Sequence, residues 1–127
     1  MSAPAPSAPL PQIVRFFETL DAPDSQCPHC GATGRFILRF QVADGRQLGA
    51  MRGCVKLFPV SRAAREELRL RGKLADYSKR GWQLNRRDSE ALAALDAFFA
   101  GDVSEAHALG IVAGAKLANS ARYRRRR

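Results

Sequence analysis

Residues Cys27 to Gly31 read Cys-Pro-His-Cys-Gly, and two thiols two residues apart in so tight a turn either hold a metal or exchange electrons. The chain carries three cysteines, and an odd count argues against a disulfide framework and for a reducing compartment. The third, Cys54, ends the stretch GRFILRFQVADGRQLGAMRGC. There Phe36, Leu38, Phe40 and Val42 alternate with Arg35, Ile37, Arg39 and Gln41, the period of a strand. Asp44-Gly45 is a two-residue hairpin signal, because glycine accepts the positive φ that such a turn needs. Folded about that turn, Val42 faces Gln47, Phe40 faces Gly49 and Arg35 faces Cys54, so the third thiol returns beside the first two.

The Cys27–Cys30 tetrapeptide is similar to that of the periplasmic disulfide-forming relatives of thioredoxin, which would imply thiol-disulfide exchange. That fold places a strand before the pair and a long helix after it, whereas here a loop precedes and a glycine-containing strand follows. The CPHCG stretch with its following hairpin resembles instead the first knuckle of zinc-ribbon proteins. That resemblance, over residues 27–54, implies a structural zinc on Cys27, Cys30 and Cys54. Where a zinc ribbon has a second Cys pair, this chain offers Cys54 alone, with Met51 or Leu57 at the position of its mate. Met51 is a poor zinc ligand, because its thioether is neutral and soft. The fourth donor is expected from His107, with His29, an acid such as Asp24, or water as alternatives.

Around this unit, expected at 25–60, the remaining pattern is helical, which makes the fold class α+β. PQIVRFFETLD places Ile13, Phe16, Phe17 and Leu20 at helical spacing, which predicts a short N-terminal helix starting near Pro11. Three further helices are expected. The first opens after Ser61 and has Gly72 as a kink or end. The second is capped by Asn85 and closed by Gly101. The third opens on an Asp102/Glu105 capping box. The domain reading is a disordered stretch at 1–10, one small domain at 11–118 with its helical part at 61–118, and a disordered basic tail at 119–127.

The net charge of +9 is segregated: residues 56–88 carry ten bases against four acids, residues 89–115 carry four acids and no base, and five of the last six residues are Arg. Such segregation suits a polyanionic partner. The expected nucleic-acid contacts are Arg62, Arg65, Arg69, Lys73, Lys79, Arg80, Arg86 and Arg87, with Arg122 and Arg124, Arg125, Arg126 and Arg127 from the tail. Trp82, with Tyr77 nearby, is expected either to stack on bases or to sit in the core. The partner is DNA or RNA. The alternative class is a protein-interaction adaptor, of the kind found among mobile-element accessory proteins, that docks a partner through the acidic helix pair at 89–115 with Phe98 and Phe99. No phosphate loop, nucleophile elbow or HExxH helix is present, so the reading is non-enzymatic. No stretch is apolar enough for a membrane span and no secretory signal opens the chain, so a cytoplasmic protein is expected.

Overall fold

The computed structural model of the 127-residue chain describes residues 9–125, with side chains described as far as Ala121. The elements run β1 (Ile13–Gln26), β2 (Thr33–Val42), β3 (Gln47–Met51), α1 (Arg52–Val55), α2 (Arg62–Lys79), α3 (Arg86–Phe99) and α4 (Glu105–Arg125). The class is α+β, and the chain divides into two compact units at residues 1–61 and 62–127. Among the described residues no helix is long and apolar enough to cross a membrane.

In the first unit an antiparallel sheet of order β1-β2-β3 replaces the expected N-terminal helix with its first strand. The reason lies in two bulges. Ile13 pairs with Val42 and Arg15 with Gln41, then Phe16 with Phe40 and Glu18 with Arg39, so β1 twice spends two residues against one of β2. Ile13 and Phe16, three apart in β1, therefore stand opposite Val42 and Phe40, which are two apart in β2. A bulged strand reproduces helical spacing at that point. Ile13, Phe16, Phe40 and Val42 are all buried, whereas Phe17 and Leu20, expected on the same helix face, are exposed. The strand start is fixed from its other side by Ile13 N–H donating to the Pro59 carbonyl (2.8 Å) and Ser61 N–H donating to the Ile13 carbonyl (2.8 Å). Phe16, Phe40 and Phe58 pack edge to face in a row with centroids 6.2 and 5.1 Å apart, the arrangement that ring quadrupoles favour.

The β2–β3 hairpin forms one residue out of the expected register. Phe40 faces Leu48 and Arg39 faces Gly49. Gly45 N–H donates to the Val42 carbonyl (2.9 Å) and Val42 N–H to the Arg46 carbonyl (3.0 Å), with Gly45 at φ 93°. The loop thus has three residues, a turn followed by a left-handed glycine, instead of two. β3 ends at Met51, and Cys54 lies in the one-turn α1 rather than opposite Arg35.

In the second unit α2, α3 and α4 enclose a core of Ala63, Leu70, Ala91, Leu92, Leu95, Ala108 and Val112. α2 continues through Gly72 without a break. The Asn85 side chain caps α3 by accepting from Asp88 N–H (2.9 Å). α3 closes with Gly101 N–H to the Phe98 carbonyl and Asp102 N–H to the Ala97 carbonyl, Gly101 at φ 84°, the paired bonds of a Schellman ending. α4 is capped by Ser104, whose Oγ accepts from His107 N–H at 3.1 Å, not by the expected Asp102 box. It continues to Arg125, so residues 119–125, expected as a disordered tail, are its last turns.

Candidate metal centre and basic surface

The knuckle joins β1 to β2 and is closed by its own backbone. Gly31 N–H donates to the Cys27 carbonyl and Cys27 N–H to the Ala32 carbonyl, both at 2.8 Å, while Gly31 takes φ 77°, a conformation costly for any residue with a Cβ. β3 runs back along β2 to the same end of the sheet, and α1 then presents Cys54. The Cys27, Cys30 and Cys54 sulfurs all lie within 4.8 Å of one another. Three thiolates on one tetrahedral zinc, at about 2.3 Å each, stand about 3.8 Å apart, so the donor set fits such an ion. Among the described residues the three thiols are the one such grouping, with no carboxylate or imidazole in it.

The thiols differ in environment. Cys27 is buried, Cys54 half-buried and Cys30 exposed. Burial pushes the Cys27 thiol up, but the backbone N–H groups of Met51, Cys30 and His29 and the Cys30 side chain outweigh it, bringing Cys27 down to about 6. The Cys54 thiol is pushed up to about 12, first by its hydrogen bond with Cys30, then by burial and by the neighbouring Cys27. Cys27 is thus the thiol poised as a thiolate, while the Cys54 proton is one that a metal must displace.

Two contacts that sequence reasoning missed hold the knuckle in place. A Cβ on Gly49 would stand 3.5 Å from Pro28 Cγ and 3.3 Å from Ile37 Cγ2, so the bare glycine lets the knuckle proline settle on β3. His29, the alternative imidazole donor, is exposed and sets its ring edge-on to Phe58 at 5.2 Å. His107 belongs to the second unit, in the exposed first turn of α4.

The expected basic contacts separate into two groups. Lys73 donates to Asp88 (2.6 Å), whose side chain is only 1% exposed. Arg69 pairs with Glu66 (2.9 Å), Arg80 with Asp76 (3.6 Å) and Arg86 with Glu90 (2.9 Å). Arg62, Arg65, Lys79 and Arg87 are exposed and, among the described residues, form no ion pair. The side chains of Arg122, Arg124 and Arg125, and all of Arg126 and Arg127, lie outside the described residues. Trp82 is 54% exposed and so is not a core residue. Tyr77 meets it edge to face at 5.5 Å, and the Arg80 guanidinium stands 5.1 Å from its ring centre. Phe98 and Phe99, expected on an outward docking face, pack against the core of their own unit.

No protein-family model, curated protein or solved structure matches the chain.

Proposed function

We propose that the chain is a non-enzymatic nucleic-acid-binding protein whose first unit is held together by a structural zinc on Cys27, Cys30 and Cys54. The observation that carries the metal is the convergence of three sulfurs from two separate chain segments to within 4.8 Å. Zinc suits that set because it accepts thiolates in a closed tetrahedral site and contributes folding energy outright. A thiol-disulfide role gains nothing from the third cysteine.

Support for the nucleic-acid part comes from charge that the fold leaves unused. Arg62, Arg65, Lys79 and Arg87 have no acidic partner among the described residues, in a chain of net charge +9. Such cations gain most from phosphates, because each neutralised phosphate releases a condensed counterion. The exposed Trp82, which follows the C-terminal end of α2 where Lys79 lies, adds a stacking surface. In the acidic helix pair at 89–115, the docking face of an adaptor, the two phenylalanines are partly buried against the core of their own unit.

The test is metal analysis of mildly purified protein followed by titration of fluorescent single strands and duplexes over a range of salt. About one zinc per chain and a log–log salt slope corresponding to several phosphates are expected. Substoichiometric zinc with a readily formed Cys27–Cys30 disulfide refutes the metal. Binding that never rises above background, together with a protein partner retained in a pull-down, replaces the nucleic-acid reading with the adaptor.

A further inference from the structure

At the C-terminal end of α2 the chain turns through Gly81, at φ 74°, into the α2–α3 link. Between these elements lies an open groove of about 430 Å³, at the small end of the roughly 300–1,000 Å³ typical of ligand sites. Its apolar walls include Trp82, Leu74, Leu84 and Leu92, and its polar ones include Ser89 and Asp96. That composition, one aromatic plate with aliphatic walls and a carboxylate, suits a flat heterocycle with hydrogen-bond donors on its edge. The groove's surroundings specify what carries the heterocycle. Lys79 and Arg80 directly follow the lining residue Ser78, and Arg86 and Arg87 lie between the lining residues Leu84 and Ser89. Of these four, Arg80 pairs with Asp76 and Arg86 with Glu90, while Lys79 and Arg87 form no ion pair among the described residues. The chain segments that line the groove thus carry cations next to it in sequence, the charge that phosphates flanking a bound base call for.

We propose that this groove receives one unpaired guanine of a single-stranded nucleic acid, stacked on Trp82 with its edge on Asp96. The inference rests on the nucleic-acid reading above and names the base which that surface reads. Asp96 selects the base. Its Oδ1 accepts from Arg71 at 2.6 Å, while its Oδ2 accepts no hydrogen bond among the described residues. An ionised carboxylate is acceptor-only, with roughly four lone-pair sites, so both oxygens have capacity left. Guanine alone presents two adjacent donors, N1–H and the 2-amino group, that match two carboxylate oxygens. Adenine and cytosine each set an amino group beside a ring acceptor. Thymine flanks its one N–H with two carbonyls, which a carboxylate repels. Arg71, bonded to Oδ1, fixes the orientation of that carboxylate and so acts as a positioning residue.

Trp82 is the sole tryptophan of the chain, so its fluorescence reports the groove directly. The experiment titrates full-length protein with a thymine nonamer carrying one central guanine, the same strand with inosine there, and the all-thymine strand. The guanine strand should bind about tenfold more tightly than all-thymine, in line with one good bidentate base contact, and should quench Trp82. Inosine, which lacks the 2-amino group, should fall between them. Asp96→Asn should erase the preference, with guanine binding falling towards thymine binding and thymine binding not weakened. Trp82→Ala, read by anisotropy of labelled strands, should weaken all three strands several-fold, and Trp82→Phe should restore most of the loss. Equal affinity for the three strands with unchanged tryptophan emission overturns the groove while the salt-dependent binding of the basic surface stands. Saturable quenching by an acidic peptide but by no strand gives the groove to protein instead and overturns the proposal. No binding of any strand overturns both readings together.

Discussion

The backbone N–H of Met51 donates to the Cys27 sulfur at 3.3 Å, so the last residue of β3 is bonded to the first thiol of the knuckle. An amide fixed in a sheet and pointed at a sulfur stabilises the thiolate without any rearrangement when metal arrives. The same strand end delivers Cys54, three residues on. Sheet, knuckle and third thiol are thus one construction, and disturbing any part should be felt as loss of metal. Cys54→Ser is expected to lower retained zinc as much as Cys27→Ser does. Both should lower the melting temperature of the first unit by a similar amount, because the binding energy of a structural zinc is folding energy. Metal content and thermal melts of the two variants side by side check this. A Cys54→Ser protein that keeps its zinc assigns the third thiol a role outside the site. His107→Ala and His29→Ala, assayed the same way, tell an imidazole fourth donor from water.

Lys73 donates to a carboxylate that is almost wholly buried, and that carboxylate sits at the centre of a ring of bonds. Asp88 accepts from Lys73 (2.6 Å) and from the Asn119 amide (3.1 Å), and Asn119 in turn accepts from Asn85 (3.0 Å). Helices α2, α3 and α4 each contribute, so the ring sets their mutual alignment. Lys73→Ala leaves the buried Asp88 carboxyl without its cation. Removing one partner of a buried pair costs roughly 3–5 kcal/mol. Lys73 itself is 30% exposed, so about 2–3 kcal/mol is expected after allowing for water. Thermal melting should show a drop of about 10 °C or more. A melt unchanged by the substitution frees Lys73 for phosphate contact.

Glu66 gives the second unit an acid-sensitive joint. Burial pushes its carboxyl up, but Lys116 and Arg69 outweigh it, and the group ends below its ordinary 4.5. A carboxylate held below its unfolded value adds stability that is fully present above pH 4.5 and is lost as the pH falls through the lower folded value. Glu66→Gln should therefore be less stable than the parent at neutral pH, and its melting temperature should fall less steeply in acid. Parallel acid slopes for the two proteins remove Glu66 from the joint.

What the sequence disclosed, and what it hid, follows from how local each signal is. The caps at Asn85 and Gly101 were legible, because capping depends on residues within a turn of one another. The return of Cys54 was legible for a topological reason: any tight hairpin between residues 42 and 47 brings the chain back to the same end. Its register was not legible, because Asp44-Gly45 serves a two-residue turn and the second half of a three-residue turn equally well. β1 was hidden by its bulges, which are set by pairing with β2 and leave no mark on β1 alone except a misleading helical spacing. The partition of the basic residues was hidden too, since Lys73 and Lys79 look alike until Asp88 is found beneath one of them.

That partition supplies the last prediction. If phosphates are bound by cations that the fold has not already engaged, neutralising free and paired bases should give different results. Arg65→Gln with Arg87→Gln removes two side chains that form no ion pair among the described residues. Each phosphate contact contributes about 0.7 to the log–log salt slope on single strands, so the double variant should be shallower by about 1.4 and weaker on every sequence alike. Its melting temperature should not move, because neither residue supports the fold. Arg69→Gln with Arg86→Gln removes two side chains paired at 2.9 Å to Glu66 and Glu90. There the slope should change little, while the melt falls, by the few tenths of a kcal/mol typical of exposed pairs for Arg86 and by more for Arg69, whose partner Glu66 is buried. Salt titrations and melts on the two double variants, run in one buffer, decide between the groups. Identical slope changes would mean that bound phosphates displace the intramolecular carboxylates, and that ion pairing in the free protein does not choose the contacts.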